Sequence, residues 1–105
     1  MRDYESIVNK IYNKNKENME KFNKDSLEYD LLKELQAQIS ETIIEVQDRE
    51  GALNMITYSI GCTMTIATMS LKLETEHDYS ELIKAVDSLL EIVDEIYPIY
   101  HPIKE

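Results

Sequence analysis

ALNMITYSIGCTMTIATMSL, residues 52–71, contains no Asp, Glu, Lys, Arg or His, although 30% of the chain is charged. The run is long enough for about five helical turns. A helix that avoids charge on every side needs something other than water around most of it. Three neighbouring helices, a second copy of the chain, or lipid would each serve.

The side chains of this run sort into stripes at helical spacing. Leu53, Ile56, Ile60, Met64, Ala67 and Leu71 form one apolar stripe, and Met55, Cys62, Ile66, Met69 and Leu73 form another beside it. Asn54, Tyr58, Gly61, Thr65 and Thr68 make a third, small or mildly polar. Small residues permit close helix approach, and Thr or Ser hydroxyls can bond back to carbonyls of their own helix. The pattern predicts a central helix over about 52–73, touched on most sides. Cys62 is the only cysteine, so no internal disulfide can form. Its place in the run predicts a buried, inert thiol in a reducing cytoplasm. A single membrane span is the weaker alternative: Asn54 and six Ser/Thr residues dilute the run, and no flanking Lys/Arg cluster sets an orientation.

Outward from this centre the chain also reads as helix. Only Gly51, Gly61, Pro98 and Pro102 can punctuate the backbone, and Leu, Ile, Met, Glu and Lys are abundant, which argues for an all-α chain. Its 105 residues suffice for a single helical domain with one modest core. A first helix over about 3–22 carries Tyr4, Ile7, Val8, Ile11, Met19 and Phe22 at helical spacing, with a weak middle at Asn13–Asn18 that predicts fraying, a break, or a place at the edge of the fold. A second, over about 26–48, begins at Asp25 with Glu28 three residues on, a capping-box pattern. Its apolar stripe is Leu27, Leu31, Leu35, Ile39, Ile43 and Val46. Gly51 is expected to close it in the left-handed conformation, although one long bent helix through Gly51 is the alternative. A fourth helix, over about 79–97, starts with Asp78 and Glu81 in the same capping arrangement. Its core face is Leu82, Val86, Leu89, Val93 and Ile96, widened by Ile83 and Leu90. Pro98 ends it, leaving residues 98–105 as an extended tail. The whole reads as a compact four-helix bundle, with a homodimer as a further expectation.

Charge narrows the function. Residues 1–26 carry six Lys/Arg against five Asp/Glu, whereas residues 27–105 carry five against sixteen, and the net charge is −10. Such a field repels nucleic acid and anionic membranes, so neither is an expected direct partner. The acids form two ridges: Glu41, Glu45 and Asp48 on the second helix, and Asp87, Glu91, Asp94 and Glu95 on the fourth. Like charges three and four apart cost a few tenths of a kcal/mol per pair, a cost that solubility justifies or a basic partner relieves. Lys10, Lys14, Lys16, Lys21 and Lys24 are a third outlet, able to lie against a ridge of the same chain.

Catalytic signals are thin. An all-α, metal-dependent nucleotide pyrophosphatase would hold magnesium between carboxylate pairs on facing helices. Glu45-x-x-Asp48 and Glu91-x-x-Asp94 have one such spacing, yet both point away from the apolar stripes. Glu74, Glu76, His77 and Asp78 form a loop cluster expected to be solvated. No zinc spacing, nucleophile–base pair, phosphate loop or basic recognition helix is present. No catalytic, cofactor or metal residue is assigned. The reading is a small, acidic, non-enzymatic protein-binding module that engages a basic protein, such as one that binds nucleic acid, through its acidic helix faces. Lys-, Ile- and Asn-rich usage is that of low-GC bacteria, their phages and mobile elements. By analogy alone, small acidic helical chains there act as inhibitors, antitoxins, immunity proteins or anti-defence factors.

Overall fold

Asp3 accepts a hydrogen bond from the Ser6 amide at 3.0 Å and so caps the first helix, satisfying one of the amides that a helix start leaves free. The computed structural model describes residues 3–70 and 78–95. Within them the chain is all-helical: α1 (Tyr4–Met19), α2 (Leu27–Glu45), α3 (Arg49–Thr65) continuing into a π turn (Ile66–Ser70), and α4 (Ser80–Val93). The expected tail 98–105 and the loop residues Glu74, Glu76 and His77 lie outside the described residues.

The caps shift the expected boundaries by a few residues. Ser26, not Asp25, caps α2, its hydroxyl accepting from the Tyr29 amide at 3.1 Å. Tyr79, not Asp78, holds the N-cap position of α4, and Asp78, one residue earlier, accepts from the Ser80 amide at 2.9 Å. The second helix ends at Glu45 rather than about 48, and the chain turns at Val46–Asp48. Arg49 supports that turn by donating to the Ile43 carbonyl at 3.3 Å, supplying a partner to one of the orphan carbonyls at the end of α2. Gly51 does not close α2. It lies inside the first turn of α3, and neither glycine has a positive φ.

The helices form a four-helix bundle in which α1 and α3 each pack against the other three elements, while α2 and α4 make at most marginal contact with each other. Asn15 reaches the Leu32 carbonyl, and Asn18 the Ala85 carbonyl. These bonds, with the short α2–α3 turn, run neighbouring helices antiparallel. The α1–α3 diagonal is therefore the middle of the bundle, with α2 and α4 on its flanks. Ile11, Leu32, Leu35, Ile39, Leu53, Ile56, Ile60, Leu82 and Leu89 are fully buried, each contributing about 1.5–3 kcal/mol of transfer free energy.

Two details of helix packing differ from the sequence reading. The weak middle of α1 neither frays nor breaks. Asn15 and Asn18 continue the buried line begun by Val8 and Ile11 and are themselves 0% and 1% exposed. On α2, Leu27 is 54% exposed while Leu32 is fully buried. A stripe stepping by four drifts roughly 40° per repeat on a 3.6-residue helix, so its ends leave the core and the three–four series through Leu32, Leu35, Ile39 and Thr42 enters it.

Candidate interaction surface

The neutral helix divides between core and solvent. Ala52, Leu53, Ile56, Thr57, Ile60, Thr63 and Ala67 of α3 and its π turn are buried. The expected stripe of Leu53, Ile56, Ile60 and Ala67 is thus the core stripe. Of the second and third stripes, every described residue is exposed except the half-buried Thr68, and Leu73 lies outside the described residues. Met55 is 52% exposed, Tyr58 76%, Ile66 39% and Met69 58%, and Asn54, Gly61 and Thr65 are exposed between them. Cys62, expected to be buried, is exposed. The expectation of a helix touched on most sides holds for the bundle-facing half alone: among the described residues, three helices reach α3 from one side and none packs on the other.

Its threonine hydroxyls are satisfied locally. Thr57, Thr63, Thr65 and Thr68 each donate to the carbonyl four residues earlier, at 2.7 to 3.0 Å. These back-bonds remove the hydroxyls from competition, which explains how a Thr-rich helix both enters a core and shows a weakly polar outer face. At Gly61 an added Cβ would meet nothing within 4 Å, so the backbone itself is open to close approach there.

Acids border this face. A shallow cleft of about 270 Å³ lies between α2 and the π turn, lined by Leu27, Leu31 and Ile66 with Asp30 and Glu34 at its rim. Glu41 and Glu45, seven and eleven residues past Glu34, continue the same edge of α2 and are exposed. Asp48 is exposed too, but it stands at the N-cap of α3, around the corner from the ridge. On α4, Ala85, Ser88 and Glu95 face α1, since Asn18 and Lys10 reach them. A turn of 100° per residue then puts Asp87 and Asp94, both half-buried, on the α3 side and Glu91 on the outer side. The candidate acids therefore do not form one patch: Glu41 and Glu45 edge α3 from one flank, and Asp87 and Asp94 edge it from the other.

Among the described residues, Glu95 is the one of these seven with a cationic partner, Lys10 at 3.5 Å. That pair realises the expected internal use of the first-segment lysines at one position. Both side chains are about half exposed, so the pair contributes at most about 1 kcal/mol. Lys14 and Lys21 instead line an α1–α4 cleft of about 590 Å³ together with Lys84, Glu28, Asp78 and Glu81, a mixed-charge surface.

The carboxylate pairs considered for metal chemistry are not brought face to face. Glu45 ends α2 and Asp48 begins α3, while Glu91 and Asp94 lie on the opposite flank. Among the described residues no three His, Cys, Asp or Glu side chains gather to hold a metal ion. Nor is any described helix long and apolar enough to cross a membrane. No known protein family matches the chain, and neither a curated protein nor a solved structure is similar to it.

Proposed function

We propose that this chain is a non-enzymatic protein-binding module whose partner is a basic protein. The observation that carries the reading is the state of the acidic edges. Glu34, Glu41 and Glu45 on α2 and Glu91 on α4 are exposed, and none has a cationic partner among the described residues. Like charges at these spacings oppose the isolated helix and raise the association rate with a cationic surface. A module of this kind acts by occupying its partner, which is the mode of an inhibitor, antitoxin or immunity protein.

Affinity capture with the purified chain as bait, at low and at moderate salt, tests the reading. A basic protein should be retained at low salt, and Glu41→Lys with Glu45→Lys should lose it. Retention indifferent to salt and to that reversal, or retention of no basic protein, counts against the proposal.

A further inference from the structure

Among the described residues the fold leaves the outer face of α3 unused: Met55, Tyr58, Cys62, Ile66 and Met69 are exposed along it. We infer that this face seats a cationic amphipathic helix of the partner, a conclusion that rests on the protein-binding reading and gives it a location.

Three observations carry it. The first is register. Met55, Tyr58, Cys62, Thr65 and Met69 follow one another at alternating steps of three and four, the spacing at which one helix presents a seam to another. The seam is about 20 Å long, enough for four turns of a docked helix. The second is relief. Gly61 leaves the backbone open at mid-seam, and the exposed methionines at its two ends can adapt to the side chains that meet them.

The third is charge, and it selects the occupant. The seam itself is neutral, whereas its edges are acidic: Asp30 and Glu34 line the cleft on one side, Glu41 and Glu45 continue that edge by helical phase, and the same phase puts the half-buried Asp87 and Asp94 on the other. A helix with Leu-like residues along one side and Lys or Arg flanking them satisfies the seam and both edges together. A second copy of this chain would lay acidic edges against acidic edges, each copy bringing a net charge of −10. An anionic lipid surface meets the same repulsion.

The test uses two model peptides of about 20 residues and the full-length chain. Both peptides carry Leu at the a and d positions of the heptad, and they differ in having Lys or Glu at e and g. At low salt the Lys peptide should bind at least about tenfold more tightly than the Glu peptide, and the advantage should shrink by about 0.5 M salt. Bound Lys peptide should slow Cys62 alkylation about tenfold or more, and Tyr58→Glu, with its melting transition retained, should weaken binding by a similar factor. Equal affinity for the two peptides overturns the inference, as does failure of the Lys peptide to bind. A Lys peptide that binds but leaves Cys62 alkylation unchanged overturns the location while leaving the protein-binding module standing. A chain that sediments as a dimer with Cys62 already protected also overturns it, because the second copy is then the occupant.

Discussion

Asn15 and Gln36 close a hydrogen bond of 2.8 Å between α1 and α2, the Asn15 amide donating to Gln36 Oε1. Gln36 in turn donates to the Tyr12 carbonyl at 3.3 Å, so the two side chains bind each helix to the other. Three residues on, Asn18 does the same toward α4, donating to the Ala85 carbonyl at 3.0 Å and the Ser88 hydroxyl at 3.1 Å. Since α1 is the element between α2 and α4, these asparagines fix its height against both neighbours. Their amide oxygens have no donor among the described residues, so the pins carry a cost as well as a gain.

Asn15→Ala should destabilise the fold by about 1–3 kcal/mol, because it leaves Gln36 Oε1 without its donor. Denaturant unfolding of Asn15→Ala, Gln36→Ala and the double variant checks this, with the double costing clearly less than the two single losses combined. Asn15→Asp should be worse at neutral pH. A buried carboxylate facing the Leu32 carbonyl has its pKa raised, so the loss should shrink as the pH falls and the group takes up a proton.

Gly61→Ala should stabilise the chain by about 0.5–1 kcal/mol. The position is helical and exposed, and the added methyl meets nothing, so the substitution removes the glycine's entropic cost without a clash. A thermal melt of the purified variant reads the gain, and a lower melting temperature would show that a neighbour already fills that space.

Apolar residues should fall into two classes regardless of hydrophobicity. Ile56→Ala, at a fully buried site, should cost about 2–5 kcal/mol. Ile44→Ala, at a site 78% exposed, should stay within about 0.5 kcal/mol. Tyr58→Lys should resemble Ile44→Ala. A large loss at Tyr58 in equilibrium unfolding would mean that its face is covered in the free protein.

The α2 edge should be under mild electrostatic strain. Glu41→Gln with Glu45→Gln should raise stability by a few tenths of a kcal/mol at low salt, and the gain should vanish near 1 M salt. Lys10→Ala should lower stability by no more than about 1 kcal/mol, since its pair with Glu95 is open to water. Melting temperatures across a salt series measure both.

Helix number, order and most of the core were legible in the sequence because they rest on periodicity, which survives without any tertiary information. Leu53, Ile56 and Ile60 announce the buried side of α3, and Leu82, Val86, Leu89 and Val93 that of α4. Asn15 and Asn18 were missed because propensity marks asparagine as a weak helix former, while their four- and seven-residue offsets from Ile11 place them on the core line. The turn at Val46–Asp48 depends on Arg49 reaching a carbonyl six residues back, which local composition does not encode. The exposure of Cys62 was hidden for a different reason. Periodicity identified apolar stripes all round α3, but only the count of packed neighbours tells which of them the fold covers. Glu41, Glu45, Glu91 and Glu95 face outward as periodicity predicts, whereas Asp87 and Asp94 are half-buried, and which flank of α3 each one borders follows from the packing of α1 between α2 and α4.

The central claim is that α3 buries one side and leaves the other, equally neutral, side bare. Alkylation of Cys62 by iodoacetamide in the purified native chain tests it most directly. The rate should lie within a few-fold of that in denaturant and stay constant as protein concentration rises. A thiol protected a hundredfold or more under native conditions would contradict it.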